Sequence, residues 1–127
     1  MEVKASLKNL RISPYKVRLV ADLVRGQSVE EALRILKLSP QRAVSPISKL
    51  IDSAVANAKD KASKVDLIVK AIKVDEAQTL KRSRFASRGR VVRIRKRGSH
   101  VSLILDLKER VSSKEQGIKS QKSENKI

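Results

Sequence analysis

Between Lys81 and Arg97 the chain carries nine basic side chains and no acid: Lys81, Arg82, Arg84, Arg88, Arg90, Arg93, Arg95, Lys96 and Arg97. The acid-free stretch is wider still, running from Ala77 to Leu105. A run like this repels itself, so a folded chain keeps it only where a polyanion neutralises it or as a solvated tail. Here it sits between two strand-like segments, which makes it an arm rather than a tail. Leu67 to Val74 is β-branched and apolar with lysines interleaved, and from His100 to Lys108 the residues Val101, Leu103, Leu105 and Leu107 line one face. The hairpin joining them, about 76–100, is much longer than the roughly two to five residues a hairpin loop requires. If both halves stay paired, each has about a dozen residues at about 3.3 Å apiece, a reach on the order of 40 Å. A two-stranded ribbon is marginal in water, so the arm is expected to be mobile when free and ordered by its ligand.

The rest of the chain is basic too. The net charge over 127 residues is +17, from 30 Lys and Arg against 13 Asp and Glu; outside the run, 30 − 9 leaves 21 bases against those 13 acids. Phosphate backbone is the natural target, because each neutralised phosphate releases condensed counterions. The absence of cysteine excludes a disulfide framework, a thiolate zinc site and a cysteine nucleophile. With one Phe, one Tyr and no Trp, the chain cannot build the stacking platform of a single-strand binder, so it is expected to read phosphates and shape. No apolar run approaches a membrane span and the N-terminus lacks a signal-peptide core, so a soluble, cytoplasmic protein with no membrane partner is expected. The length suits one domain over 1–110, followed by a Ser-, Lys-, Gln- and Glu-rich tail, 111–127, read as disordered.

Glu2 to Lys8 alternates, with Val3, Ala5 and Leu7 on one face of a strand. Ser13-Pro14 predicts a helix start, Val17, Val20, Ala21 and Val24 recur at helical spacing, and Gly26 closes the helix. Ser28-Val-Glu-Glu31 fits a reciprocal capping box for a second helix, with Ala32, Leu33, Ile35 and Leu36 on its apolar side. A third helix begins at Pro40 or at Ser45-Pro46; in the first case Pro46 falls inside and costs about 3 kcal/mol or a kink. Ile47, Leu50, Ile51, Ala54, Val55 and Ala58 form its stripe, and Asn57 is the polar residue among them that reaches outwards.

Catalysis has little to stand on. The single histidine, His100, has no triad partners, no Gly-rich phosphate loop is present, and metal-ligand spacing is absent, so no enzyme, metal or cofactor is expected. Binding has far more. Arginine outnumbers lysine seven to two in the run, and its planar fork suits bidentate phosphate contact. Val92 and Ile94 interleave with Arg93, Arg95 and Arg97, which predicts a strand with one strongly cationic face, with Gly89 at a turn or a close backbone approach. Lys8, Arg11, Lys16 and Arg18 around the first helix offer a second basic surface. The rival reading from the residues is an architectural DNA-binding protein with a basic β-arm in the minor groove and Phe85 as its wedge.

Ile12-Ser-Pro-Tyr-Lys-Val-Arg-Leu-Val-Ala-Asp-Leu-Val-Arg-Gly26, Val29-Glu-Glu-Ala-Leu33, Lys49-Leu-Ile-Asp-Ser-Ala-Val-Ala-Asn-Ala58, Thr79-Leu-Lys-Arg82, Arg88-Gly-Arg90 and Lys96-Arg-Gly-Ser-His100 together resemble the bacterial large-subunit ribosomal protein L-twenty-two family, over about residues 3–108. The resemblance implies an α+β fold of three helices on a small three-stranded antiparallel sheet with a long basic hairpin. It implies a structural, non-enzymatic role on the ribosome, with large-subunit ribosomal RNA and neighbouring large-subunit proteins as partners, and a chain that is monomeric within the ribosome. The hairpin would help form the wall of the exit tunnel, touch the nascent polypeptide and assist subunit assembly. The RNA-binding residues it suggests are Lys8, Arg11, Lys16, Arg18, Arg25, Asn57 and His100 in the body, and the nine bases of the run. The tunnel-wall tip would be Arg84, Phe85, Ala86, Ser87, Arg88, Gly89 and Arg90. Two departures from the family pattern matter, one at the entry to the arm and one at its tip. Glu76-Ala-Gln78 replaces a Gly-Pro after the acid, altering the bend into the arm. Ser83, Phe85 and Ala86 leave the tip less basic than usual, and Gly98, where Thr is usual, is expected to matter little.

Overall fold

Helical periodicity and strand alternation produce eight principal elements in a computed structural model that describes residues 2–58 and 67–107. In chain order they are β1 (Glu2–Leu10), α1 (Pro14–Val24), α2 (Val29–Leu38), α3 (Val44–Asn57), β2 (Leu67–Glu76), β3 (Leu80–Phe85), β4 (Val91–Lys96) and β5 (Ser99–Leu107). The fold is α+β. Three antiparallel strands lie in the order β1-β5-β2, and β3-β4 forms a separate two-stranded ribbon. The tail expected over 111–127 lies outside the described residues.

α1 begins at Pro14, whose missing N–H is no loss in a first turn, and Ser13 occupies the cap position without a side-chain cap bond. Gly26 follows the helix at φ +79, the left-handed turn that ends it. Ser28 Oγ accepts the Glu31 N–H at 3.3 Å, one half of the expected capping box, while the Glu31 carboxylate faces Arg34 at 3.9 Å. α3 starts at neither expected residue but at Val44, between the two prolines. Pro46 then falls in the first turn, where N–H groups have no helical partner, so it causes no kink.

The core is aliphatic. Val17, Val20, Val24, Val29, Leu36, Ile47, Ile51, Leu67, Val69, Val101 and Leu105 are all at 0 % exposure, and neither Tyr15 nor Phe85 joins them. β5 alternates cleanly because it is central. β1 and β2 each need a one-residue bulge. In β2, Leu67 and Val69 face the core, then Ile72 and Val74, a phase break taken up by the extra residue Lys70. In β1, Lys8 and Asn9 together oppose His100.

β2 is an edge strand, and α1 closes that edge. The Gly26 N–H donates to Val69 O at 3.0 Å and the Val69 N–H to Gln27 O at 2.9 Å. Further along, Arg25 Nη2 donates to Ile72 O at 3.0 Å and Arg18 Nη2 to Val74 O at 3.1 Å. Carbonyls that could template another strand are thereby occupied.

The β2 bulge also places a charge. Glu2 and Asp106 are direct partners on β1 and β5, and the Lys70 ammonium bonds Glu2 and lies 3.4 Å from Asp106, relieving their repulsion. The Lys70 hydrogen bond, then its charge, holds the Glu2 carboxyl below its usual value. The Leu107 N–H is the main cause of a lowered Asp106 carboxyl. A carboxyl lowered on folding adds stability that is full above its unfolded pKa and is lost as pH falls through the folded one. Stability should therefore decline below about pH 4, modestly because the groups are exposed and screened by salt. Lys70→Met should flatten that decline in urea unfolding curves taken at a series of pH values; parallel losses in the two proteins would remove Lys70 from the account.

Candidate nucleic-acid interface

Ladder register decides where the arm's charges go. β3 and β4 pair from Leu80↔Lys96 to Phe85↔Val91, so each even-numbered residue opposes an even one. Opposed residues share a face. One face therefore carries Lys81, Arg93 and Arg95 with Ser83, Phe85 and Val91; the other carries Arg82, Arg84 and Lys96 with Leu80, Val92 and Ile94. β4 alternates as expected, with Arg93 and Arg95 on one face and Val92 and Ile94 on the other, while β3 brings Arg82 and Arg84 against Ile94 and Val92. Both faces are basic, and every residue from Lys81 to Arg93 is exposed.

The paired ladder is six residues long, about 20 Å, half the reach a dozen paired residues would give. It stops short at the root because residues 77–79 on one side oppose only 97 and 98 on the other, between Glu76↔Ser99 and Leu80↔Lys96. This one-residue offset is a third bulge, and it sets the arm's faces relative to the sheet. Ala77 N–H donates to Gly98 O at 3.0 Å across it. A Cβ on Gly98 would lie 2.8 Å from Arg11 Nη2, the movable end of a long side chain, and 3.2 Å from both Ala77 Cβ and Leu10 O, so a larger residue here needs Arg11 to swing aside and its neighbours to give by a few tenths of an ångström. Arg97 pairs with Glu76 at 3.6 Å, and a cleft of about 340 Å³ opens among Lys81, Arg93, Arg95 and Arg97. At the tip the Ala86 N–H donates to Arg90 O at 2.7 Å, closing a loop in which Arg88 (φ 62) and Gly89 (φ 68) are both left-handed. Glycine adopts this freely, whereas Arg88 does so at roughly 1 kcal/mol.

The body residues divide. Lys8 lies in the β1 bulge, and the Asn9 N–H left over by that bulge donates to His100 Nδ1 at 3.1 Å, so one ring nitrogen of His100 is already used. Arg18 and Arg25 bond the β2 edge. Arg11 and Lys16 are exposed beside a different cleft, with Arg42 and Leu19. Asn57 is exposed and lines a groove of about 700 Å³ with Lys4, Ser6, Ser53, Lys73 and Ser102, no acid among the lining residues. Lys4, Lys73 and Arg42 were missed by sequence reasoning. Lys4 was visible as the polar phase of the β1 alternation, but Lys73 needed the Lys70 bulge to reach its face.

The described residues hold no group of three or more His, Cys, Asp or Glu that could bind a metal, and none of their helices is long and apolar enough to cross a membrane. Comparison with known proteins gives a consistent picture. The family model for ribosomal protein L22p/L17e matches residues 5–106. The large ribosomal subunit protein uL22 of Syntrophotalea carbinolica is 49 % identical over 110 residues, 85 % of this chain and all of the relative. That of Herpetosiphon aurantiacus is 52 % identical over 108 residues, covering 84 % of this chain and 96 % of the relative. That of Bifidobacterium longum is 44 % identical over 116 residues, 86 % and 98 % respectively.

Proposed function

We infer the function from the premise that this chain belongs to the ribosomal protein L22p/L17e family. It is accordingly a structural, non-enzymatic component of the large ribosomal subunit. Its finer role is to bind large-subunit ribosomal RNA through phosphate and shape, with the β3-β4 arm seated in RNA as part of the nascent-peptide tunnel wall. The observation that carries this reading is the arm's two basic faces. A ribbon laid on a surface needs charge on one side only; one with three bases on each face suits surroundings that are anionic on both sides. Lys81 and Arg95 even oppose each other directly, a repulsion that favours the ribbon only when phosphates intervene. The tip, Arg84 to Arg90, then presents Phe85 and Arg88 to the tunnel, and the groove at Lys4, Asn57 and Lys73 supplies a second phosphate contact from the body.

Binding of the full chain to large-subunit ribosomal RNA should fall steeply with salt, by roughly 10³ to 10⁵ between about 50 and 200 mM if six to ten phosphates are neutralised. At the upper salt an unrelated RNA of equal length should not displace it. A flat salt profile, or equal competition by the unrelated RNA, removes the basis for this role.

A further inference from the structure

We propose that α1 carries a protein-docking face, in which Tyr15, Leu19 and Leu23 make the apolar contact and the occupant is an acidic amphipathic segment of a neighbouring protein of the large subunit. The proposal rests on the ribosomal reading for the identity of its setting, and on α1 for everything else.

The three residues recur every fourth position, so they form one row along the helix about 12 Å long. Tyr15 is 70 % exposed, Leu19 48 % and Leu23 41 %, while Val17, Val20, Ala21 and Val24 on the inward side are fully buried. α1 is thus apolar on two sides, whereas a surface helix ordinarily keeps one. The chain has a single tyrosine and leaves it in water, although its core contains no aromatic residue. A row of this kind, rimmed by polar groups, marks an interaction surface.

Charge decides the occupant. Beside Leu19, the middle residue of the row, a cleft of about 370 Å³ is lined by that leucine together with Arg11, Lys16, Gln41 and Arg42, and no acid lines it. Asp22, the one acid on α1, is already paired with Arg25. An apolar floor with a basic rim fits apolar side chains flanked by carboxylates, spaced as helix-docking segments space them. The chain's own residues 108–127 do not qualify, with six Lys and Arg against three Glu, and a second copy would bring the same basic rim and a charge of +17. RNA would satisfy the rim but leave Leu19 and Leu23 against polar backbone, which gives the leucines no role.

The experiment places a photo-crosslinking residue at position 19 of the full chain, and a second probe at position 88 in the arm, in assembled large subunits. The expected adduct from position 19 is protease-sensitive and ribonuclease-resistant; an RNA adduct there, or none, overturns the docking face. Position 88 reports separately on the ribosomal reading, since it should label RNA. If the chain does not enter subunits, that reading fails. The docking face is then decided by fluorescence anisotropy with a labelled helical peptide of alternating Leu and Glu turns against a scrambled peptide of equal charge. The patterned peptide should bind at least tenfold tighter, and Leu19→Glu should abolish the difference. Equal binding of the two peptides overturns the proposal.

Discussion

Deleting residues 82–94 and joining Lys81 to Arg95 through Asn-Gly should leave a folded domain whose RNA binding has lost much of its salt sensitivity. Lys81 and Arg95 are a directly opposed pair in the ladder, so a two-residue turn closes them without changing register. No residue of the core lies within the deleted segment, and the arm forms its own two-stranded sheet. The helical signal in circular dichroism and the urea midpoint should therefore stay close to those of the full chain. The deletion removes five arginines, Arg82, Arg84, Arg88, Arg90 and Arg93. With one phosphate per arginine and about 0.7 to 0.9 counterions released at each, the slope of log affinity against log salt should become shallower by about four. Over a fourfold rise in salt that is about 250-fold. Collapse of the helices would show that the arm is not independent of the body, and an unchanged slope would show that its arginines do not meet phosphate.

The elements that were legible in the sequence are those governed by a period. Val17, Val20, Ala21 and Val24 mark the buried side of α1, and Val101, Leu103 and Leu105 mark the inward side of β5, because one helix face or one strand face repeats without interruption. What periodicity cannot give is register. Arg93 and Arg95 alternate with Val92 and Ile94 in the sequence, but whether Arg82 joins or opposes them depends on one extra residue at the arm's root. The bulge at Lys70 did leave a trace, in that Leu67 and Val69 are odd-numbered core positions while Ile72 and Val74 are even. The family resemblance located the arm and its bases but said nothing of the row Tyr15, Leu19 and Leu23. The surroundings of Gly98 were equally hidden, because Arg11, Ala77 and the Leu10 carbonyl reach it only in the fold. The start of α3 was hidden because prolines at 40 and 46 both fit a helix beginning, and the cap residue between them, Ala43, has no side chain to bond a helix N–H.

Arg18 and Arg25 show how strand order alters the meaning of a charge, and they give the largest expected effect on stability. In the sequence they are two more bases near a basic patch, suited to phosphate. In the fold Arg18 lies on α1 and Arg25 is its C-cap, seven residues further on, and each gives its Nη2 to a carbonyl of β2, the strand left at the sheet's edge. A hydrogen bond from a charged donor contributes about 1.5 kcal/mol or more when shielded, and these two are partly buried. Arg18→Ala with Arg25→Ala should therefore destabilise the domain by about 2 to 3 kcal/mol, lowering the melting temperature by on the order of 10 °C. It should also uncover the β2 edge, so that the variant self-associates in sedimentation velocity. Its salt slope for ribosomal RNA should change by less than one. Arg25→Lys adds the discriminating case: it keeps the charge but loses the fork that spans Asp22 and Ile72 O, so it should lose stability while keeping the slope. If instead the double variant melts normally and its slope falls by about two, these arginines face RNA and the edge of β2 is held by the Gly26–Gln27 turn alone.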